Sequence, residues 1–258
     1  MTIKQLVVFG STSSIARSLL PELNVDSSQI ISVDRYNNNQ QLNAYIPTKN
    51  QYRINWDNHV EIENFVCDIF QKRFNESLLV LNFMGDFGQV KSIKEIDIGG
   101  TLETNSKNLL PFLLIAKLSI FLPANSNVIS FSGAGVGGDN QDDSSLGYLA
   151  AKSSMVFLTE SIDKQLSRYG VRFGLVAPGA FPSRMQEAVA TNDSESLPVD
   201  RVSRARQVMT TSPSAVKLAQ MIHFLSENPE LLGGRTWSAN FDELSAIQGN
   251  FGKMRRVY

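Results

Sequence analysis

A single cysteine, Cys67, in 258 residues excludes an intrachain disulfide framework and points to a reducing compartment, with the cytoplasm as the default expectation. Histidine is nearly as scarce. Neither His59 nor His223 has an acidic, Cys or His partner at ligand spacing, so no metal site is expected. An excess of either charge is also missing. With 24 Lys and Arg against 25 Asp and Glu, the net charge of −1 leaves no footprint for nucleic acid or for an acidic membrane surface. No run reaches the roughly 20 apolar residues of a membrane-spanning helix. The nearest approach, 109–122, is interrupted by Pro111 and Lys117. Met1-Thr2-Ile3-Lys4 leads straight into a strand-length apolar run, so no export signal is expected. What is present is ordinary for a globular protein, 42% hydrophobic and 19% charged, which excludes disordered, collagen-like and coiled-coil chains. The length suits one large α/β unit, and a single domain over 1–258 is expected.

Residues 6–9 are continuously apolar and end at Gly10, the pattern of a parallel strand buried on both faces. A helix follows, with hydroxyls at 11–14 to cap it and Ile15, Leu19 and Leu20 as its apolar stripe before Pro21. Further strands are expected at 29–33, 52–56, 78–81, 128–131, 171–176 and 235–238, and helices at 60–74, 101–120, 148–167 and 214–226. Ile62, Phe65, Val66, Ile69 and Phe70 recur at helical spacing, which places Cys67 in mid-helix as a packing residue. The stretch 36–43, rich in Asn and Gln, reads as a polar loop. The alternation predicts a parallel, doubly wound sheet, because parallel neighbours need crossover connections. Residues 185–212 interrupt it with a polar, irregular insert, and a substrate lid is expected at about 184–212.

Gly10-Ser11-Thr12-Ser13-Ser14-Ile15-Ala16 lies between the first strand and the first helix, where small residues let backbone amides approach a pyrophosphate. Only Gly10 remains of three usual glycines, and taken alone the loop fits an ordinary strand-to-helix turn equally well. Asp34 ends the second strand, placed to accept hydrogen bonds from adenosine ribose hydroxyls. Its negative charge opposes a 2′-phosphate, whereas Arg35 attracts one. Ser13 brings no basic side chain, so the balance leans to NAD with NADP still open.

Tyr148 and Lys152 are four apart on an expected helix and share a face. A phenol of pKa about 10 is a poor acid or base near neutrality, and a neighbouring cation lowers that value. Alone, such a pair also fits an exposed helix face.

The wider pattern resembles the short-chain dehydrogenase/reductase family over most of the chain. Tyr148-Leu-Ala-Ala-Lys152 matches that family's Tyr-x-x-x-Lys signature. Val128-Ile129-Ser130-Phe131-Ser132-Gly133 resembles the strand end bearing its serine, and Glu103-Thr104-Asn105 falls where its helical asparagine stands. Leu81-Asn82-Phe83-Met84-Gly85 resembles its Asn-Asn-Ala-Gly segment, and 177–183 its Pro-Gly segment. The resemblance implies a Rossmann-type three-layer αβα fold and a nicotinamide-dependent alcohol/ketone oxidoreductase. It implies that Tyr148 transfers the proton, that Lys152 holds the nicotinamide ribose and lowers the tyrosine pKa, that Ser132 holds the substrate carbonyl, and that Asn105 anchors a relay water. Further cofactor contacts are implied for Gly10, Thr12, Ser13, Ser14, Ile15, Asp34, Arg35, Trp56, Asp57, Asn82, Met84, Gly85, Pro178, Gly179, Phe181 and Ser183. It also implies pairing into a homodimer or homotetramer through the helices at 101–120 and 148–167.

Three departures stand out: the depleted glycines, the larger Phe83 and Met84, and the 16-residue step from Ser132 to Tyr148. The first motivates an alternative, a relative that uses a dinucleotide for binding or regulation. A nucleotide-sugar epimerase is a third possibility, but only 75 residues follow Ser183, few for a substrate domain. Arg201, Arg204 and Arg206 in the expected lid hint at a polar or anionic small molecule, though a solvated helix face explains them as well.

Overall fold

The computed structural model describes residues 3–35, 50–54, 60, 64–65, 74–133, 145–191, 197–210 and 215–246. Strand β1 (Leu6–Phe9) is buried at every position, as a strand with helices on both faces requires. It pairs in parallel with β2 (Ile30–Arg35) and β4 (Leu79–Asn82). Outside β2 lies β3 (Gln51–Ile54), and beyond β4 come β5 (Asn127–Phe131), β6 (Arg172–Ala177) and β7 (Thr236–Ser238). Among the described residues the sheet order is β3-β2-β1-β4-β5-β6-β7, with every pair parallel. All strands therefore end at one edge, and the order reverses between β1 and β4, where such sheets open a ligand crevice.

The helices whose full extent lies among the described residues are α1 (Ser14–Leu19), α2 (Ile98–Leu118), α3 (Leu146–Leu166), α4 (Arg184–Ala190), α5 (Val199–Thr210), α6 (Ala215–Glu227) and the short α7 (Pro229–Leu232). Side chains alternate across each strand and build two cores. Leu6, Val8, Leu79, Leu81, Ile129 and Val176 pack with α1 and α6. Val7, Phe9, Val80, Val128, Phe173 and Leu175 pack with α2 and α3. The second core is locked where α3 ends. Buried Asp163 takes a bidentate bond from Arg172 on β6 at 3.0 and 2.8 Å and also accepts from the Phe173 amide at 2.9 Å.

The expected strands and main helices are present with shifted ends. Helix α2 starts at Ile98 rather than 101, because the Asp97 carboxylate accepts from the Gly99 and Gly100 amides and so caps a start those glycines disfavour. Helix α1 stops at Leu19, and Pro21 sits in a 3-10 turn, Leu20–Leu23. The stretch 185–212 departs from its expected irregularity. It holds α4, capped by Ser183, and α5, and a small cluster of Val189, Leu197 and Ala205 with Val90 and Val202 joins them. So few apolar positions suffice for this pair that the stretch reads as polar. The loop expected at 36–43 and most of the helix expected at 60–74 lie outside the described residues; Val60, Asn64 and Phe65 are helical.

Candidate active site

Tyr148 and Lys152 stand one turn apart on α3, at the end that meets the carboxyl edge of the sheet. Lys152 is 5% exposed, and burial pushes its amine down from 10.5 to about 8. Its Nζ donates to the Phe131 carbonyl at 2.9 Å and lies 5.4 Å from the centre of the Tyr148 ring. A methyl group at Gly133 would fall 2.5 Å from the Tyr148 hydroxyl, so that hydroxyl rests on the turn directly after Ser132. Ser132 is buried, and its amide donates to the Val176 carbonyl at 3.0 Å. The strand register thus brings phenol, amine and serine to one place at the end of β5.

Asn105 lies half-buried on α2, and its Oδ1 is enclosed without a hydrogen-bond partner among the described residues. Asn108, one turn further along, is fully buried and was not singled out from sequence. Its Nδ2 donates to the Asp86 carbonyl at 2.5 Å and the Thr104 carbonyl at 2.8 Å, while its Oδ1 accepts from the Asp86 amide. A Cβ at Gly85 would lie 2.6 Å from Asn108 Oδ1 and 3.8 Å from Lys152 Nζ. Gly85 therefore leaves room beside both the Asn108 amide and the Lys152 amine. Asn105 and Asn108 share one helix face at a spacing of three, so the sequence signal was present but could not choose between them.

At the other end of the crevice, Gly10 takes φ +78°, a conformation that favours glycine, and its amide donates to the Val33 carbonyl at 2.8 Å. An added Cβ would sit 3.2 Å from the Met84 amide, so the first loop and the end of β4 lie against each other. Ser13 caps α1 by accepting from the Ala16 amide, and Ser14 and Ile15 are half-buried. Ala16, in place of the last glycine, is fully enclosed in the first core. The Asp34 carboxylate is 4% exposed and accepts from Ser11 Oγ at 2.5 Å, the Thr12 amide at 3.1 Å and Thr12 Oγ1 at 3.2 Å. Arg35 is the last residue of β2, and Trp56 and Asp57 lie outside the described residues.

Asn82 joins the ends of β4 and β5 by donating to Ser130 Oγ and accepting from the Met84 amide, both at 3.1 Å. Its side chain fixes the crevice floor from within, while Gly85 is exposed and Met84 half-buried. Phe83 stacks on Phe131 with centroids 4.2 Å apart and packs against the first core, which accounts for its size. After β6, Gly179 takes φ +89° with Asn240 against it, Pro178 and Phe181 are buried, and Ser183 caps α4. Of the three arginines in the stretch expected to be a lid, two tie α5 to α4: Arg201 donates to Gln186 and Arg206 to the Ala190 carbonyl, while Arg204 pairs with Asp200 one turn away.

A left-handed glycine, acceptor oxygens at the end of β2, an exposed glycine over the crossover and an amine beside a phenol suit a nicotinamide dinucleotide lying across the carboxyl edge. The architecture is that of the short-chain dehydrogenases/reductases. A short-chain dehydrogenase/reductase from Saccharomyces cerevisiae superposes with a TM-score of 0.73 at 15% identity over 94% of this chain and 98% of that one. An NAD+-bound xylitol dehydrogenase superposes with a TM-score of 0.69, at 15% identity over 91% and 96%. In sequence, the chain is 24% identical over 240 residues, 84% of its length and 95% of the other, to an uncharacterized oxidoreductase of Staphylococcus epidermidis. No family model matches.

Proposed function

We propose that the protein is an NAD(P)-dependent oxidoreductase that interconverts a secondary alcohol and a ketone. The observation that carries this reading is the buried Lys152 amine beside the Tyr148 ring, with the phenol seated on Gly133 next to Ser132. A nicotinamide dinucleotide, when bound, supplies or accepts the hydride. The first loop, Asp34, Gly85 and the Pro178–Ser183 turn would hold it, and Lys152 would meet its ribose. Tyr148 passes the proton between its hydroxyl and the substrate oxygen, and the Lys152 ammonium favours the phenolate. Ser132 orients the substrate oxygen. For extending the proton path from Lys152, Asn105 has the better support, because its enclosed Oδ1 has no partner among the described residues whereas both amide hydrogens of Asn108 are taken by the Asp86 and Thr104 carbonyls.

The match to a xylitol dehydrogenase supports a polar alcohol, such as a sugar derivative, as the substrate class. The lid arginines lend less support to an anionic one, because they are engaged within the lid. Asp34 supports NAD over NADP. A cytoplasmic location fits the absence, among the described residues, of any helix long and apolar enough to cross a membrane. Pairing through α2 and α3 is supported by Ile98, Leu102 and Phe157, which are about two-thirds exposed on those two helices. The second reading, a binding or regulatory module, draws support from Ser14 and Ala16 standing in glycine places. Polar alcohols with NAD+ and polar ketones with NADH, assayed against the wild type and Tyr148→Phe, separate the two. Turnover in the wild type that the variant loses supports the enzyme, and cofactor binding with no turnover of any substrate class supports the module.

A further inference from the structure

Helices α4 and α5 are held by very little apolar surface. Helix α5 runs for 12 residues and buries only Ala205, and the two helices pack chiefly on each other. Their shared cluster is Val189, Leu197 and Ala205, with Ala190 and Val202 against it. One further member, the half-buried Val90, comes from elsewhere in the chain, from the loop between β4 and α2. That loop is a firm post. The Asp86 N–H and C=O are both held by Asn108, and Gln89 and Asp97 exchange two bonds at 3.3 and 3.2 Å. Gly88, at φ +62°, lies against Thr104 where a Cβ would clash.

Topology gives the contact a direction. Helix α4 follows the turn beyond β6, Val90 follows β4, and β5 lies between those two strands. A helix pair seated on Val90 therefore reaches across the end of β5, where the Tyr148 hydroxyl rests on the turn after Ser132. From this span we infer that Val90 is the latch of a lid: α4 and α5 close over the Ser132 end of the crevice by seating on this valine and open by lifting off it. The inference rests on the reaction proposed above for what lies beneath, and adds how that site is closed. The Arg201 and Arg206 bonds lie within the pair, so they travel with it. What ties the pair to the post is one aliphatic side chain, a contact weak enough to be made and released as substrate enters and product leaves.

The test is V90D, which places a charge on the post, read in two ways. Hydrogen exchange of the α5 amides, without cofactor, reads the latch itself, because an undocked helix of 12 residues is marginal in water and unravels. Steady-state kinetics with polar alcohols and NAD+ read what the lid covers. The expected result is α5 exchange about tenfold faster, the scale of losing one buried aliphatic contact, with exchange in β1, β4 and β5 as in the wild type. KM for the alcohol should rise by about the same factor and kcat change less. Unchanged α5 exchange overturns the latch. Faster exchange with KM and kcat both unchanged overturns the lid and leaves α4 and α5 docked away from the reacting atoms. A wild type that turns over no polar alcohol or ketone removes the proposed reaction, and the exchange result alone then decides the latch. If V90D fails to melt cooperatively, V90A takes its place with the same two readouts and an expected change of about threefold.

Discussion

In the proposed reaction single residues carry the chemistry, and each makes a separable contribution. Tyr148→Phe keeps the ring that rests on Gly133 and removes only the proton-bearing oxygen. Turnover is expected to fall by about 100-fold or more with NADH affinity within a small factor of wild type, read by steady-state kinetics and fluorescence titration. Lys152 gives the pH dependence a direction. Burial brings its amine to about 8, so its charge, and with it the support proposed for the phenolate, is lost above that pH. Turnover should decline on an alkaline limb near pH 8, and Lys152→Met should be slow at every pH with no such limb. The same shift acts on stability. Below pH 8 the amine is charged folded and unfolded, and the cost of burying the charge is carried in full. Between 8 and 10.5 the folded protein gives up the proton first, so this group's contribution to stability rises with pH across that window. Urea midpoints of wild type and Lys152→Met should converge from pH 7 toward pH 10. At this scale the sequence was legible where a spacing defines a face, as for Tyr148 and Lys152. It was silent on which of the two amides on that helix face, Asn105 and Asn108, meets a glycine from another element. It was equally silent on the Asp34 carboxylate being covered by Ser11 and Thr12, because that contact joins two strand ends 22 and 23 residues apart.

Elements place those residues. The α3 helix is fixed at its far end by Asp163, whose carboxylate is satisfied by the Arg172 fork and the Phe173 amide. Asp163→Ala leaves a guanidinium and an amide without that partner, and the denaturation midpoint should drop by the equivalent of about 3 kcal/mol. Turnover per folded molecule at low temperature should stay close to wild type, since the Tyr148 end is anchored separately at Phe131 and Gly133. The stretch 185–212 is the part of the chain that sequence patterning misread as irregular. Continuous apolar runs made β1, β4 and β5 plain, and 3.6-residue periodicity made α6 plain. In contrast, α4 and α5 bury only a few apolar residues, and contacts from Arg201 and Arg206 do the joining, which no apolar period reveals. Arg206→Ala should loosen α5 from α4 and raise KM for substrate more than it lowers kcat, measured at saturating cofactor.

For the whole molecule, the parallel order with its reversal between β1 and β4 gathers Gly10, Asp34, Gly85, Ser132 and Pro178 at one edge of the sheet. That gathering was legible because strand-ending residues of a parallel sheet must share an edge, so five motifs read separately in the sequence had only one place to meet. Assembly belongs to this scale too. Light scattering should give at least a dimer, and Leu102→Glu with Phe157→Glu, placing charges on two exposed apolar positions of α2 and α3, should reduce the mass to that of a monomer. A monomeric wild type would contradict pairing through these helices.

That this edge holds a nicotinamide dinucleotide for hydride transfer beside Tyr148, as proposed, is tested most directly by titrating the purified protein with NADH and following nicotinamide emission. Saturable enhancement at micromolar concentrations is expected, competed away by NAD+ and weaker for NADPH. A signal that never saturates with either reduced cofactor, together with no heat of binding by calorimetry, would contradict it.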